Sequence, residues 1–245
     1  MNLLLPVWAI MALALGAVPT AAPNAAQSVG HPFTGRLEGG VPMPARGPGF
    51  ALRGPTTRHG WRYALPDLVR GIEWTAERLQ EAGGAPLVVG NLSRKGGGDL
   101  PCSRSHNTGR DVDLGLYTMD ARGRAVPSEY YRFDAHGRSL EAGGRWRFDV
   151  AANWRLVRSL LTNPHFDVQW LVLNEHLERL LLDHARSLGE PAELVTRAEQ
   201  VIDRPAYANL HRNHLHVRIL CPPDQARCEQ AGPVWSWVAH RVAGR

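Results

Sequence analysis

His214 and His216 stand two residues apart in His-Leu-His-Val-Arg-Ile-Leu, a run that alternates between polar and apolar positions. On a β-strand this spacing puts both imidazoles on one face and turns Val217 and Ile219 to the other. Far upstream, His106 sits where a loop gives way to a second alternating run. Asp113 follows it on that run, with Gly109 between them to permit a turn. His106, Asp113 and His216 make a donor set that suits a borderline cation such as zinc, with a fourth position open to water. A closed structural site would use four ligands, several of them thiolates. Zinc in such a site lowers the pKa of its water toward about 7, and the chemistry then needs a proton acceptor. No His-Glu-x-x-His run supplies a glutamate, so His214, one strand step from His216, is the candidate base. Each piece also has a plain structural reading. The His-x-His pair can be satisfied in place, His106 can cap a turn, and Asp111 and Asp113 can be the polar face of a half-buried strand.

The elements that must hold these residues are legible in outline. Residues 27–60 are rich in Gly, Pro and Arg without a period, which predicts loop and extended chain. Pro66 opens a helix whose Leu68, Ile72, Ala76 and Leu79 recur at three- and four-residue steps, and Gly83-Gly84 ends it. A short buried strand over 86–90 and a Gly-rich loop over 91–105 lead to His106. Residues 111–117 predict a strand with one apolar face, and 118–148 a long surface excursion. A second helix contains Trp154, Val157, Leu160 and Leu161, with Asn153 as its expected cap. A strand over 168–173, a Leu-rich helix over 175–188 and a short helix from Pro191 precede the His214 strand. One mixed α+β domain accounts for this order.

The 245 residues allow one sizeable core, and 44% apolar with 21% charged residues excludes overall disorder. The net charge of +5 is scattered, and no basic block marks a nucleic-acid partner. Residues 2–22 carry no charge, are dominated by apolar side chains and give way to Ala-Ala-Pro-Asn-Ala-Ala. This reads as a secretory signal over 1–26, cleaved between Ala21 and Ala26, although the run is also long enough to anchor. Cleavage would leave residues 27–245 as the exported domain, without stable membrane insertion. Cys221 and Cys228 bracket a six-residue loop that a disulfide can close in an oxidising compartment, which leaves Cys102 over.

Ser-His-Asn-Thr-Gly-Arg-Asp-Val-Asp (105–113) together with His-Arg-Asn-His-Leu-His-Val-Arg (211–218) resembles the penicillin-insensitive murein endopeptidases. That family belongs to the lysostaphin, D-Ala-D-Ala peptidase and hedgehog group of zinc folds. The resemblance extends to Tyr63-Ala-Leu-Pro-Asp-Leu68, to Gly90-Asn-Leu-Ser93 with Gly96-Gly97, and to Cys221 and Cys228. It implies a central antiparallel sheet carrying the zinc site, with flanking helices. It also implies one zinc per chain on His106, Asp113 and His216, with His214 and His211 catalytic, and hydrolysis of the D-alanyl–meso-diaminopimelyl cross-link of peptidoglycan stem peptides in the periplasm. The chain departs from the family at Ser103, where members often carry a histidine three residues before the first ligand. Two other readings remain. One is a zinc carboxypeptidase that trims a terminal D-Ala; the other is a non-catalytic wall-binding module that keeps the zinc fold.

Overall fold

The alternating runs pair with each other. In a computed structural model, which describes residues 25–203 and 211–238, they lie side by side in a seven-stranded sheet. Its strands are β1 (Arg46–Gly47), β2 (Phe50–Leu52), β3 (Leu87–Val89), β4 (Asp111–Gly115), β5 (Val168–Val172), β6 (Ile202–Asp203) and β7 (His214–Ile219). The spatial order is β6-β5-β7-β4-β3-β2-β1. The four central strands β5, β7, β4 and β3 pair antiparallel with one another. The sheet as a whole is mixed, because β6 pairs parallel with β5 and β2 parallel with β3. The expected antiparallel sheet is therefore corrected to its centre. Parallel neighbours need a crossover element, and helices intervene in both cases. The signal segment expected over 1–26 lies outside the described residues except at its last two positions.

Five α-helices with both ends among the described residues accompany the sheet: α1 (Gly54–His59), α2 (Pro66–Glu81), α3 (Val150–Leu161), α4 (Glu175–Ser187) and α5 (Ala192–Val201). Helix α2 begins with proline in its first turn, where a missing N–H costs nothing, and buries Leu68, Ile72, Ala76 and Leu79. These residues join Trp154, Leu156, Leu177 and Leu181 in one core with Val112, Leu114, Leu215 and Val217 of the sheet. Each such aliphatic side chain contributes about 1.5–3 kcal/mol on leaving water.

Four expectations are corrected. Helix α1 lies in the stretch expected to be loop; its six residues are too few to show a period, and Gly60 at φ 69° ends it. Asp149, not Asn153, caps α3, accepting from Ala152 N–H at 2.9 Å. Asn153 sits inside the helix, buried, and clasps the Tyr117 backbone through both its amide oxygen (2.9 Å) and nitrogen (2.8 Å). Residues 118–148 are more than a surface excursion. Thr118–Met119, Ala125–Val126 and Arg147–Phe148 form a small sheet, and Phe133 and Phe148 enter the core edge to face. Finally, β4 is buried on both faces rather than one, because its polar side chains are paired with protein groups instead of water.

Candidate metal centre

The register of β4 against β7 assembles the site. Arg218 stands opposite Asp111, His216 opposite Asp113 and His214 opposite Gly115, while Val217 and Leu215 meet Val112 and Leu114 on the core side. A loop brings His106 to this polar face. Its return depends on Gly109, which adopts φ 75° and lies where an added Cβ would come within 2.6 Å of the Leu37 side chain. Gly109 donates its N–H to Ser93 Oγ at 3.0 Å and accepts from Leu65 N–H at 3.0 Å, which fixes the turn. The turn expected at Gly109 is present.

His106, Asp113 and His216 are all buried, and their candidate ligand atoms lie within 4.8 Å of one another. His106 Nε2 is 3.3 Å from Asp113 Oδ1, and His216 Nδ1 is 3.1 Å from the same oxygen. His216 Nε2 lies 2.9 Å from Asp111 Oδ1, which also accepts from Arg218 Nε at 2.8 Å. Because a carboxylate only accepts, both nitrogens carry protons in the metal-free chain; Asp111, shared with Arg218, fixes the one on Nε2, and Nδ1, beside Asp113, is the nitrogen that would give up its proton to ligate. Asn91 Nδ2 reaches Asp113 Oδ2 at 3.5 Å, and Thr56 Oγ1 orients that amide by donating to Asn91 Oδ1 at 3.1 Å.

These residues fit a cation on grounds independent of spacing. Both ring nitrogens of His106 are buried without a hydrogen-bond partner, so the 3.3 Å approach of Nε2 to the Asp113 oxygen is close without being a hydrogen bond. Such orphaned groups cost about 1–3 kcal/mol each, a debt that a cation shared with Asp113 and His216 would remove from one nitrogen. Burial raises the Asp113 carboxyl, yet the electrostatic pull of the neighbouring His106 and His214 rings and the close approach of His106 and His216 hold it well below the usual range. Asp111 is likewise lowered against its burial, chiefly by Arg218 and His216. Burial disfavours charge on His216, but its hydrogen bonds to Asp111 and Asp113 outweigh that and push its pKa up to about 9. The two carboxylates make this face anionic, and a cation at Asp113 would displace the proton that His216 Nδ1 directs at it, a donor set that suits a divalent ion.

The two further histidines are also gathered here. The His214 ring lies 5.0 Å from that of His211, and the His211 ring 5.9 Å from that of His216. Burial and the neighbouring imidazoles push His211 down to about 3. Burial likewise lowers His214, although Asp113 opposes it. Both are neutral at pH 7. His214 Nδ1 lies 2.7 Å from Asn213 Oδ1, which fixes its proton there and leaves Nε2 as the acceptor, 3.5 Å from Asp113 Oδ1.

Sequence reasoning did not assign roles to Asp111, Arg218, Asn91 or Tyr130. Asp111 and Arg218 had a readable signal, since each lies two residues from a candidate ligand on the same strand face. Tyr130 and Asn91 come from loops and carried no such signal. Cys102 is exposed, 3.6 Å from Asn91 Nδ2, and Cys221 and Cys228 form the expected disulfide.

A mixed sheet flanked by helices thus carries a buried two-histidine, one-aspartate cluster that could hold a metal ion, with two further histidines beside it. Comparison with known proteins narrows the class. A family model described as penicillin-insensitive murein endopeptidase matches residues 28–145. Proteins named penicillin-insensitive murein endopeptidase from Salmonella heidelberg, Salmonella paratyphi B and Salmonella newport are each 26% identical to this chain, over 91% of it and 78% of their own length. The chain is thus similar to the penicillin-insensitive murein endopeptidases, through a family model over its first half and relatives that span most of it.

Proposed function

We propose that the protein is a zinc-dependent, exported murein endopeptidase that hydrolyses the D-alanyl–meso-diaminopimelyl cross-link, built on a hedgehog/D-Ala-D-Ala peptidase-like zinc fold. The observation that carries the reading is the buried His106–Asp113–His216 cluster, in which both His106 nitrogens lack a partner, next to a neutral His214. His106, Asp113 and His216 would hold one zinc ion per chain. When bound, zinc supplies Lewis acidity at the scissile carbonyl and an acidified water.

The protein's own residues do the rest. His214 accepts a proton at Nε2 and returns it to the departing amine, while Asn213 keeps the opposite nitrogen protonated. Charge gained by His214 in this step is stabilised by Asp113, 3.5 Å away. His211, held neutral by burial, offers a hydrogen bond to the developing oxyanion from an imidazole that keeps one nitrogen unpaired. Asp111 and Arg218 fix the tautomer and plane of His216. The relatives' printed name supports the substrate class, and their insensitivity to penicillin suits chemistry that forms no acyl-serine. Export to the periplasm agrees with that substrate. Among the described residues no helix is long and apolar enough to cross a membrane.

Purified peptidoglycan and dimeric muropeptides, digested by the zinc-loaded full chain, test the reading. Product masses should show dimers split into monomers, with cleavage stopped by a chelator and untouched by a β-lactam. Intact bound zinc with no cleavage of dimers or pentapeptides would overturn it. Loss of a single alanine in place of dimer splitting would show a carboxypeptidase instead.

A further inference from the structure

On the edge of the site away from Asp111, three side chains from separate parts of the chain are stacked. Tyr130 lies nearly parallel to His214, with ring centroids 5.4 Å apart and planes 12° apart. The Arg53 guanidinium also lies against the Tyr130 ring, its Cζ 4.3 Å from the centroid. Tyr130 is the only non-glycine residue with positive φ among the described residues, at 60°. Backbone in that region costs on the order of 1 kcal/mol or more and persists where the surroundings enforce it. They do so here. The hydroxyl donates to the Asp113 carbonyl at 3.3 Å and occupies the space that a side chain at Gly90 would fill, 1.9 Å from an ideal Cβ.

The strain holds a plate for Arg53, and among the described residues the guanidinium stacked on it has no counterion. Arg53 follows β2 directly, its backbone N–H tied to Val89 O at 2.7 Å, so its origin is as rigid as the sheet. Among the described residues its side chain donates no hydrogen bond and meets no carboxylate, and its Nε is buried without a partner. Arg218, on the site face, is consumed by Asp111, and Arg110, which precedes β4, by the carbonyls of Ile219 and Glu229. A guanidinium stacked on an aromatic ring keeps its N–H fork free for a planar, two-oxygen anion.

We infer that Arg53 binds a free carboxylate of the substrate, with Tyr130 as the positioning residue that holds it, so that the centre selects stem peptides by an acid group near the scissile bond. The inference rests on the peptidoglycan reading above. A cross-linked stem offers two such groups, the diaminopimelyl carboxylate beside the scissile amide nitrogen and the isoglutamyl α-carboxylate. Both present the same chemistry.

The zinc-loaded full chain is titrated calorimetrically with uncross-linked stem tetrapeptide as free acid, as the diaminopimelyl amide and as the isoglutamyl amide. Arg53→Gln and Arg53→Lys are compared with it, and kcat/KM is measured on the matching dimers. One of the two amidations should weaken wild-type binding about 10- to 100-fold, the range of a charge-assisted bidentate contact, and so identify the carboxylate. Arg53→Gln should bind the free acid as weakly as wild type binds that amide and show no further loss on amidation. Arg53→Lys should recover part of the preference. Should the glutamine variant fail to fold, the amides read the same contact from the ligand side on the wild-type chain. Equal binding of all three peptides, no measurable binding of the free acid at millimolar concentration, or a preference that survives in Arg53→Gln would overturn the inference. A preference in binding with no dimer cleaved would sink the endopeptidase reading and leave the carboxylate site standing. Dimer cleavage with no preference would do the reverse.

Discussion

Replacing Asp111 by alanine tests whether the centre is held from behind. The Asp111 carboxylate is fully buried and its Oδ1 serves both His216 Nε2 at 2.9 Å and Arg218 Nε at 2.8 Å. Alanine leaves the Arg218 guanidinium, itself buried, without its anion. Removing one partner of a buried ion pair costs about 3–5 kcal/mol, most of it from the uncompensated charge. The His216 ring also loses the acceptor that fixes its proton on Nε2. Loss of such an outer partner lowers metal affinity about 10- to 100-fold. The two effects are separable. In Asp111→Ala combined with Arg218→Met, the stranded charge is gone and much of the stability returns, but His216 is still unoriented and zinc still binds weakly. Stability is read by urea denaturation of the metal-free chain, and affinity by competition with a chromophoric chelator. A single variant whose zinc affinity stays within about twofold of wild type refutes the tautomer argument, whatever happens to its stability. A double variant that regains full zinc affinity refutes it too, because stranded charge alone would then explain the loss.

Three further outcomes follow from the same geometry. His216→Ala should abolish stoichiometric zinc binding, whereas His214→Ala should keep the metal and lose about 100-fold or more in kcat; near-normal turnover in the latter would remove His214 from its role. In the metal-free chain the raised pKa of His216, about 9, stabilises the fold fully below its ordinary value of 6.5. That contribution is lost as pH rises from 6.5 through about 9, a swing on the order of 3 kcal/mol, so apo stability measured by denaturant should decline across this window and zinc-loaded stability should not. Gly90→Ala would place a Cβ 1.9 Å from Tyr130 Oη and 3.1 Å from Asp113 Cβ; kcat should fall with the thermal midpoint little changed if Tyr130 swings out, and an unaltered kcat would show that the hydroxyl's position does not matter.

The strands and the candidate ligands they carry were legible because alternation encodes face. A period of two assigns His214 and His216 to one side and Val217 and Ile219 to the other without any knowledge of the partner strand. Helix α2 was legible for the same reason at a different period. What the sequence did not reveal is contact made across long separations by single residues. Asn153 reads as a cap because asparagine is a common one, but its amide is used 36 residues away to bind the Tyr117 backbone, and only the packed helix shows this. Tyr130 lies in a stretch with no period at all, and its stack with Arg53 and His214 depends on how residues 118–148 fold back. Phe133 and Phe148 were hidden in that same stretch, since an isolated aromatic residue in polar sequence carries no pattern of burial.

The same register that buries the core also assembles the candidate metal centre, which ties the site to folding more tightly than a loop-borne site would be. Sliding β7 by one residue against β4 would set Val217 opposite Asp113 or Asp111 and turn the histidines toward the leucines and valines of the core. The cost would be two buried charges against apolar groups, several kcal/mol each even after relaxation. The apolar face therefore enforces the pairing of His216 with Asp113, and the polar face penalises every alternative register. His106 is the one ligand outside this arrangement. It reaches the sheet by a loop whose turn depends on Gly109, and it alone of the three has both nitrogens unpaired. The strand-borne candidate ligands are thus pre-organised by folding, and a bound cation would give the loop-borne one its partner. Metal binding should accordingly stabilise the loop that carries His106 far more than the sheet. Hydrogen exchange at Asn107, Thr108 and Gly109 should slow on zinc addition well beyond any change in β4 or β7, and equal slowing in loop and strands would show that all three ligands are organised together by the metal.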